Sequence, residues 1–133
     1  MATTLSYDAI TITLPDDLLW RDEWDWQPVA QRRAYTIAGA LVLESAARQA
    51  GRPITLEPAD DDSAWITRAT LAQLRTAAAL PGQQLTLAWR GASYTVVFRH
   101  DESSGAVTAQ PVVHYGNNDA ADWYRTTLRL LEV

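Results

Sequence analysis

A chain of 133 residues with 47% hydrophobic and 20% charged residues fits a single domain, 1–133, long enough to bury a real core. The absence of cysteine excludes disulfides, thiolate nucleophiles and Cys-based zinc sites, and no apolar run approaches a membrane span, so no membrane insertion is expected. The net charge is −5 and all 11 basic residues are scattered arginines, which lack the basic stripe that phosphate-backbone binding needs; sequence-specific nucleic acid is not an expected partner.

Met1-Ala2-Thr3-Thr4-Leu5-Ser6 has no basic start followed by an apolar block, so no secretory signal is expected. Tyr7–Leu14 alternates, with Ile10, Ile12 and Leu14 on one face and Thr11 and Thr13 on the other. It reads as one half-buried strand stopped by Pro15.

The next stretch, Leu18-Leu19-Trp20-Arg21-Asp22-Glu23-Trp24-Asp25-Trp26-Gln27-Pro28, holds three of the six tryptophans, with Asp16 and Asp17 just before it. As a helix it would put Trp20 and Trp24 on one face and turn Trp26 away. As an extended segment it puts all three indoles on one face and Arg21, Glu23 and Asp25 on the other. Pro15 and Pro28 bracket the stretch and disfavour a long helix, so the expectation is an extended arm over about 15–33. The indoles would then cover the domain's own core, dock into another subunit, or stack on sugar rings while the carboxylates accept hydroxyl protons. Arginine suits interfaces because its planar fork pairs bidentately and stacks on rings. The candidate subunit-interface residues are therefore Trp20, Trp24, Trp26, Arg32, Arg33 and Arg52.

Tyr35–Ala50 supports two readings. Its alanine- and leucine-rich second half, ending at Gly51, has helical propensity. Tyr35, Ile37, Leu41 and Leu43 also share a face at period two, and Gly51-Arg52-Pro53 turns into Ile54-Thr55-Leu56. The preferred expectation is a long hairpin with strands near 34–47 and 53–57. After a polar loop at Glu57–Ser63, Thr67 can cap a helix that ends at Pro81-Gly82, with Ile66 and Leu71 as its staple and Leu71, Leu74 and Ala78 as its apolar stripe.

The rest reads as β. Leu85, Leu87 and Trp89 alternate, Arg90-Gly91 turns, and Tyr94, Val96 and Phe98 alternate again. A turn at Asp101–Gly105 leads to Val107–Val113, Gly116–Asp119 is a loop, and Trp123–Glu132 is a closing strand with Tyr124, Leu128 and Leu130 on one side. The fold class expected is mainly β (α+β): a β-sandwich or split barrel of about seven strands with one flanking helix.

Chemical signals are sparse. His100 and His114, with Asp101, Glu102, Asp119 and Asp122 nearby in sequence, are the one conceivable metal set. Asp60-Asp61-Asp62 lacks the ligand spacing and glycine of a calcium loop and reads as a solvated cluster. No phosphate loop, nucleophile elbow or zinc-protease motif is present. No enzyme activity, metal or cofactor is expected.

The order of elements resembles the small structural proteins of long-tailed bacteriophages, in the tail-tube and distal-tail (tail-tip) group. The resemblance rests on the segment from Leu41-Val42-Leu43-Glu44 to Gly51-Arg52-Pro53-Ile54-Thr55-Leu56, on Trp65-Ile66 leading into the helix, and on Trp123–Val133. It implies a non-enzymatic virion protein that assembles as a ring, commonly hexameric, in the tail tube or tail tip. The protein would be synthesised in the bacterial host cytoplasm, and its partners would be copies of itself and neighbouring tube, tip or hub proteins. An acidic wall would keep DNA from sticking as it passes. Distal-tail proteins often carry a further C-terminal domain, for which this chain has no room, so tube, tip ring and other baseplate positions all stay open. The alternative expectation is a carbohydrate-binding module for a host surface glycan; a small hydrolase or metal enzyme using His114 is a further rival.

Overall fold

The alternation of apolar residues changes phase between Tyr7 and Ile10, and the chain turns back at that point. In the computed structural model, which describes residues 3–100 and 105–133, strands β1 (Thr3–Tyr7) and β2 (Ile10–Leu14) form an antiparallel hairpin that sets Leu5 opposite Ile12. Asp8 and Ala9 both take positive φ, 44° and 66°, the pattern of a two-residue hairpin turn whose twist matches the strands. Tyr7–Leu14 is therefore not one strand as expected. A slip in parity is the mark of a turn even where glycine is absent, because one strand cannot bury both phases on the same side.

Strand β3 (Leu18–Trp20) is short and is followed by a turn over residues 21–25. Among the described residues, strands β4 (Val29–Tyr35) and β5 (Leu41–Ala47) pair only with each other. The expected hairpin of 34–47 with 53–57 does not form, and neither does the alternative helix. Thr36–Ala40 is itself a turn, closed by Thr36 N–H to the Ala40 carbonyl (2.8 Å) and by Ala40 N–H to Thr36 Oγ1 (3.0 Å), with Gly39 at φ +84°. The period-two face read through Ile37 is interrupted there.

The remaining elements are β6 (Pro53–Pro58), β7 (Trp65–Thr67), helix α1 (Arg68–Ala78), β8 (Leu85–Trp89), β9 (Ala92–Phe98), β10 (Val107–Pro111) and β11 (Trp123–Glu132). The helix starts as expected: Thr67 Oγ1 accepts the Thr70 N–H (3.3 Å), and Leu74 and Ala77 are buried. The β8–β9 turn is Arg90-Gly91, both at positive φ. The turn expected over 101–105 lies mostly outside the described residues.

The main sheet runs β2-β1-β8-β9-β11-β6-β3, with β7 and β10 also paired to β11. The chain is half strand and 9% helix, so it is mainly β with one helix, in keeping with a β-sandwich. The described strands number eleven rather than about seven, the four unexpected ones being β1, β3, β4 and β7. Along β11, Trp123–Arg125 pair with β7 and Leu128–Leu131 with β6; on the other side Tyr124–Leu128 pair with β10 and Leu130–Glu132 with β9.

This sheet curls. Trp20 of β3 meets Trp89 of β8 and Tyr94 of β9 edge-on, with ring centroids 6.1 and 5.4 Å apart. In a flat sheet β3 and β8 would stand four strand spacings apart, about 19 Å. Strong curvature therefore brings the two ends together around one core that includes Leu5, Ile12, Ile54, Leu56, Leu87 and Leu130. Helix α1 packs against β2, β7, β10 and β11 and so closes one open side of the curl. Leu130 is fully buried on the strand that joins both halves. Leu130→Ala is expected to destabilise the chain by about 2–5 kcal/mol, measured as a lower urea midpoint with an unchanged slope; a loss under 1 kcal/mol would contradict this core assignment.

Candidate assembly surface

Leu18 and Trp20 face inward from β3 because their register against Pro58 and Leu56 puts them on the buried side of the sheet. Trp20 is 5% exposed. Its indole N–H donates to Asp22 Oδ1 (2.9 Å), which also accepts the Thr55 N–H (2.9 Å), while Asp22 Oδ2 accepts the Thr55 hydroxyl (3.0 Å). Arg21 N–H donates to the Thr55 carbonyl (2.9 Å). The Asp22 carboxylate thus takes the Thr55 N–H that the next backbone carbonyl of β3 would accept, and ends that strand, through charge-assisted bonds stronger than neutral ones.

Beyond Asp22 the three indoles part company. Trp24 sits in the turn and is 82% exposed, whereas Trp26 is half-buried. The extended ladder over 15–33 does not form, because Asp22 turns the chain after Trp20 and the turn breaks the shared parity. Trp26 instead packs with arginines. The Arg52 guanidinium carbon lies 4.4 Å from the Trp20 ring centre and 6.0 Å from that of Trp26, and Arg48 lies 5.9 Å from Trp26. Arg52 Nη2 also donates to the Glu23 carbonyl (2.7 Å). Gly51 N–H reaches the Glu132 carbonyl and Glu132 N–H the Arg52 carbonyl, both at 2.9 Å, and Arg48 N–H closes on the Pro28 carbonyl (2.8 Å). These contacts root both legs of the β4–β5 ribbon.

The ribbon itself is exposed along all seven residues of each strand. At about 3.4 Å per residue it extends roughly 20 Å. Directly opposed residues share a face, so Tyr35, Leu41 and Leu43 make an apolar tip on one side with Arg33, and Ile37 crowns the turn. The other side carries Ala30, Ala34, Val42 and Ala46 around the opposed pair Arg32 and Glu44. The candidate residues thus fall into three places: Trp20, Trp26 and Arg52 together at the root, Trp24 alone on its turn, and Arg32 and Arg33 on opposite faces of the ribbon. The exposed tip escaped sequence reasoning. Its signal was the pair of apolar clusters either side of Gly39.

A second concavity, of about 350 Å³, lies between α1 and β10 and is lined by Arg68, Leu71, Arg75, Val107, Ala109 and Tyr124 among others. The Arg68 guanidinium lies over the Tyr124 ring (5.7 Å) and donates to its hydroxyl (2.6 Å). Sequence patterning missed it, since it joins residues distant in the chain. A more polar groove lies between the 57–61 loop and β10, bordered by the ion pairs Arg21–Glu57 and Arg125–Asp61. The hydrogen bond to Glu57, and then its charge, raise the Arg21 pKa above its ordinary value.

Asp16 and Asp17 tie distant segments of the chain, accepting the N–H groups of Thr3 and Ala64, both at 3.0 Å. His100 and His114 are exposed; Asp101 and Glu102 lie outside the described residues. No cluster of three or more metal-ligating side chains occurs among the described residues. Among them, too, no helix is long and apolar enough to cross a membrane. No protein-family model, curated protein or solved structure matches the chain.

The root and the turn differ in what they support. Trp20→Ala should cost about 3–5 kcal/mol, and Asp22→Ala about 2–3 kcal/mol by stranding the Thr55 N–H and the indole N–H. Trp24→Ala should leave the stability of the monomer within about 0.5 kcal/mol. Urea unfolding of the three variants checks the ranking; a Trp24→Ala loss as large as that of Trp20→Ala would overturn it.

Proposed function

We propose that this chain is a structural, non-enzymatic virion protein that forms a homo-oligomeric ring, hexameric as in the group its sequence resembles, in the tail tube or tail tip of a long-tailed bacteriophage. Its partners are copies of itself and neighbouring tail proteins. The observation that carries the reading is the β4–β5 ribbon. An isolated two-stranded hairpin is at best marginally stable in water, and this one shows an apolar tip and open strand edges to solvent. Protein that covers those edges would supply the burial the ribbon lacks. The mainly β architecture with one flanking helix is also what the resemblance implies.

Charge supports the same reading. Glu44 is the sole acidic residue between positions 28 and 48, against Arg32, Arg33 and Arg48, so the ribbon is locally positive in a chain of net charge −5. A positive arm seeking an acidic body favours association between copies and steers it. A carbohydrate-binding module is the second reading, favoured by the exposed Trp24 indole between Glu23 and Asp25.

Native mass measurement with negative-stain imaging tests the proposal, and ring particles of defined subunit number are expected. Replacing residues 30–46 by a short Gly-Ser turn should abolish assembly while the body still unfolds cooperatively. A wild-type chain that stays monomeric at millimolar concentration, and binds a glycan that Trp24→Ala abolishes, would replace the ring by the carbohydrate reading.

A further inference from the structure

The Trp24 turn and the pocket beside α1 carry opposite charges, Glu23 and Asp25 on the turn against Arg68 and Arg75 at the pocket. Trp24 is displayed by a turn that is already fixed: Asp25 N–H closes on the Asp22 carbonyl (3.3 Å), Arg52 holds the Glu23 carbonyl, and Asp22 is bound three ways. A preorganised aromatic knob loses little freedom on docking. Its neighbours Glu23 and Asp25 give it an acidic collar.

The α1–β10 pocket has an apolar lining of Leu71, Val107 and Ala109 and two arginines, Arg68 and Arg75. Its volume of about 350 Å³ is at the small end of ligand sites and leaves ample room for one large side chain. Strand β10 pairs only with β11 among the described residues. The bonds Arg129 N–H to Ala106 carbonyl and Val112 N–H to Trp123 carbonyl set the phase of that ladder. By alternation, the backbone groups of Val107 and Ala109 point away from β11, on the edge that lines the pocket.

Knob and pocket stand at opposite ends of β11. The pocket adjoins Tyr124, whereas the Trp24 turn is rooted through Arg52 to Glu132. Along β11, at about 3.4 Å per residue, Tyr124 is over 20 Å from Glu132, and Leu128, opposite the pocket residue Val107, is about 14 Å from it. The Trp24 turn is fixed at the Glu132 end, so we take the pocket's occupant to come from another copy. A knob on one end and a socket on the other make a head-to-tail contact, the kind that closes into rings.

We propose that Trp24 of one copy seats in the pocket between α1 and β10 of the next, with Glu23 and Asp25 meeting Arg68 and Arg75. The proposal rests on the homo-oligomeric reading and names the contact that makes it. Trp24→Ala, and separately the double change Arg68→Glu with Arg75→Glu, should each weaken self-association about 30-fold or more, as hot-spot truncations do. Combining Glu23→Arg and Asp25→Arg with the double arginine reversal in one chain should restore much of it.

The cysteine-free chain allows a direct geometric test. Asp25→Cys and Ala72→Cys proteins, both full length, are mixed and oxidised. The 25–72 disulfide should form in excess of the 25–25 and 72–72 species, because it requires the two Cα atoms to come within about 7 Å. Rings that form without a 25–72 link, and that survive Trp24→Ala, would overturn this contact while leaving the ring reading intact. A wild-type chain that stays monomeric at millimolar concentration, together with no 25–72 link between the mixed cysteine proteins, would overturn both.

Discussion

Pairing along the ten residues of β11 is the constraint on which the rest of the structure depends. One strand satisfies its backbone groups against four others, β7 and β6 on one side and β10 and β9 on the other. Its inward residues Tyr124, Thr126, Leu128 and Leu130 are buried in sequence, every second position. Because β7–β6 and β9–β10 are each interrupted, the sheet can change direction along β11 without losing its ladder. Curvature then brings Trp20 onto Trp89 and Tyr94, which is how two ends of one sheet share one core.

The same strand separates the two surfaces that bear on assembly. Its end at Glu132 ties Gly51 and Arg52, and through them the root of the ribbon and the Trp24 turn. Its start at Tyr124 floors the arginine-lined pocket against α1. The body therefore has a core of its own, while the ribbon, exposed along both strands, has none. This division of labour, a stable body holding an element that lacks burial, is the physical basis for reading the chain as a subunit of something larger.

Much of the core was legible in the sequence because it follows alternation. Leu85, Leu87 and Trp89, then Val96 and Phe98, then Tyr124, Leu128 and Leu130 are all buried where period two puts them. Thr67 caps the helix for the reason its hydroxyl suggests. What failed had non-local or side-chain causes. The Asp8-Ala9 turn carries no glycine, so only the change of parity marked it. Val29–Tyr35 divides in the sequence between the arm over about 15–33 and the strand near 34–47, because its one partner among the described residues is another exposed strand and no buried face patterns either one. The indole ladder failed on Asp22, whose carboxylate finds the Thr55 N–H, a contact spanning 33 positions that no spacing rule could supply. The Arg68–Tyr124 pocket, 56 positions apart, was invisible for the same reason.

If the chain assembles as proposed, the β4–β5 ribbon takes its stability from outside its own chain. Hydrogen exchange compared between monomer and assembly measures this directly. Amides of Val29–Tyr35 and Leu41–Ala47 should exchange fast in the monomer and slow by about 100-fold or more in the assembly, while those of Leu128 and Leu130 stay slow in both. Ribbon amides already as protected in the isolated monomer as those of β11, or unchanged on assembly, would contradict it.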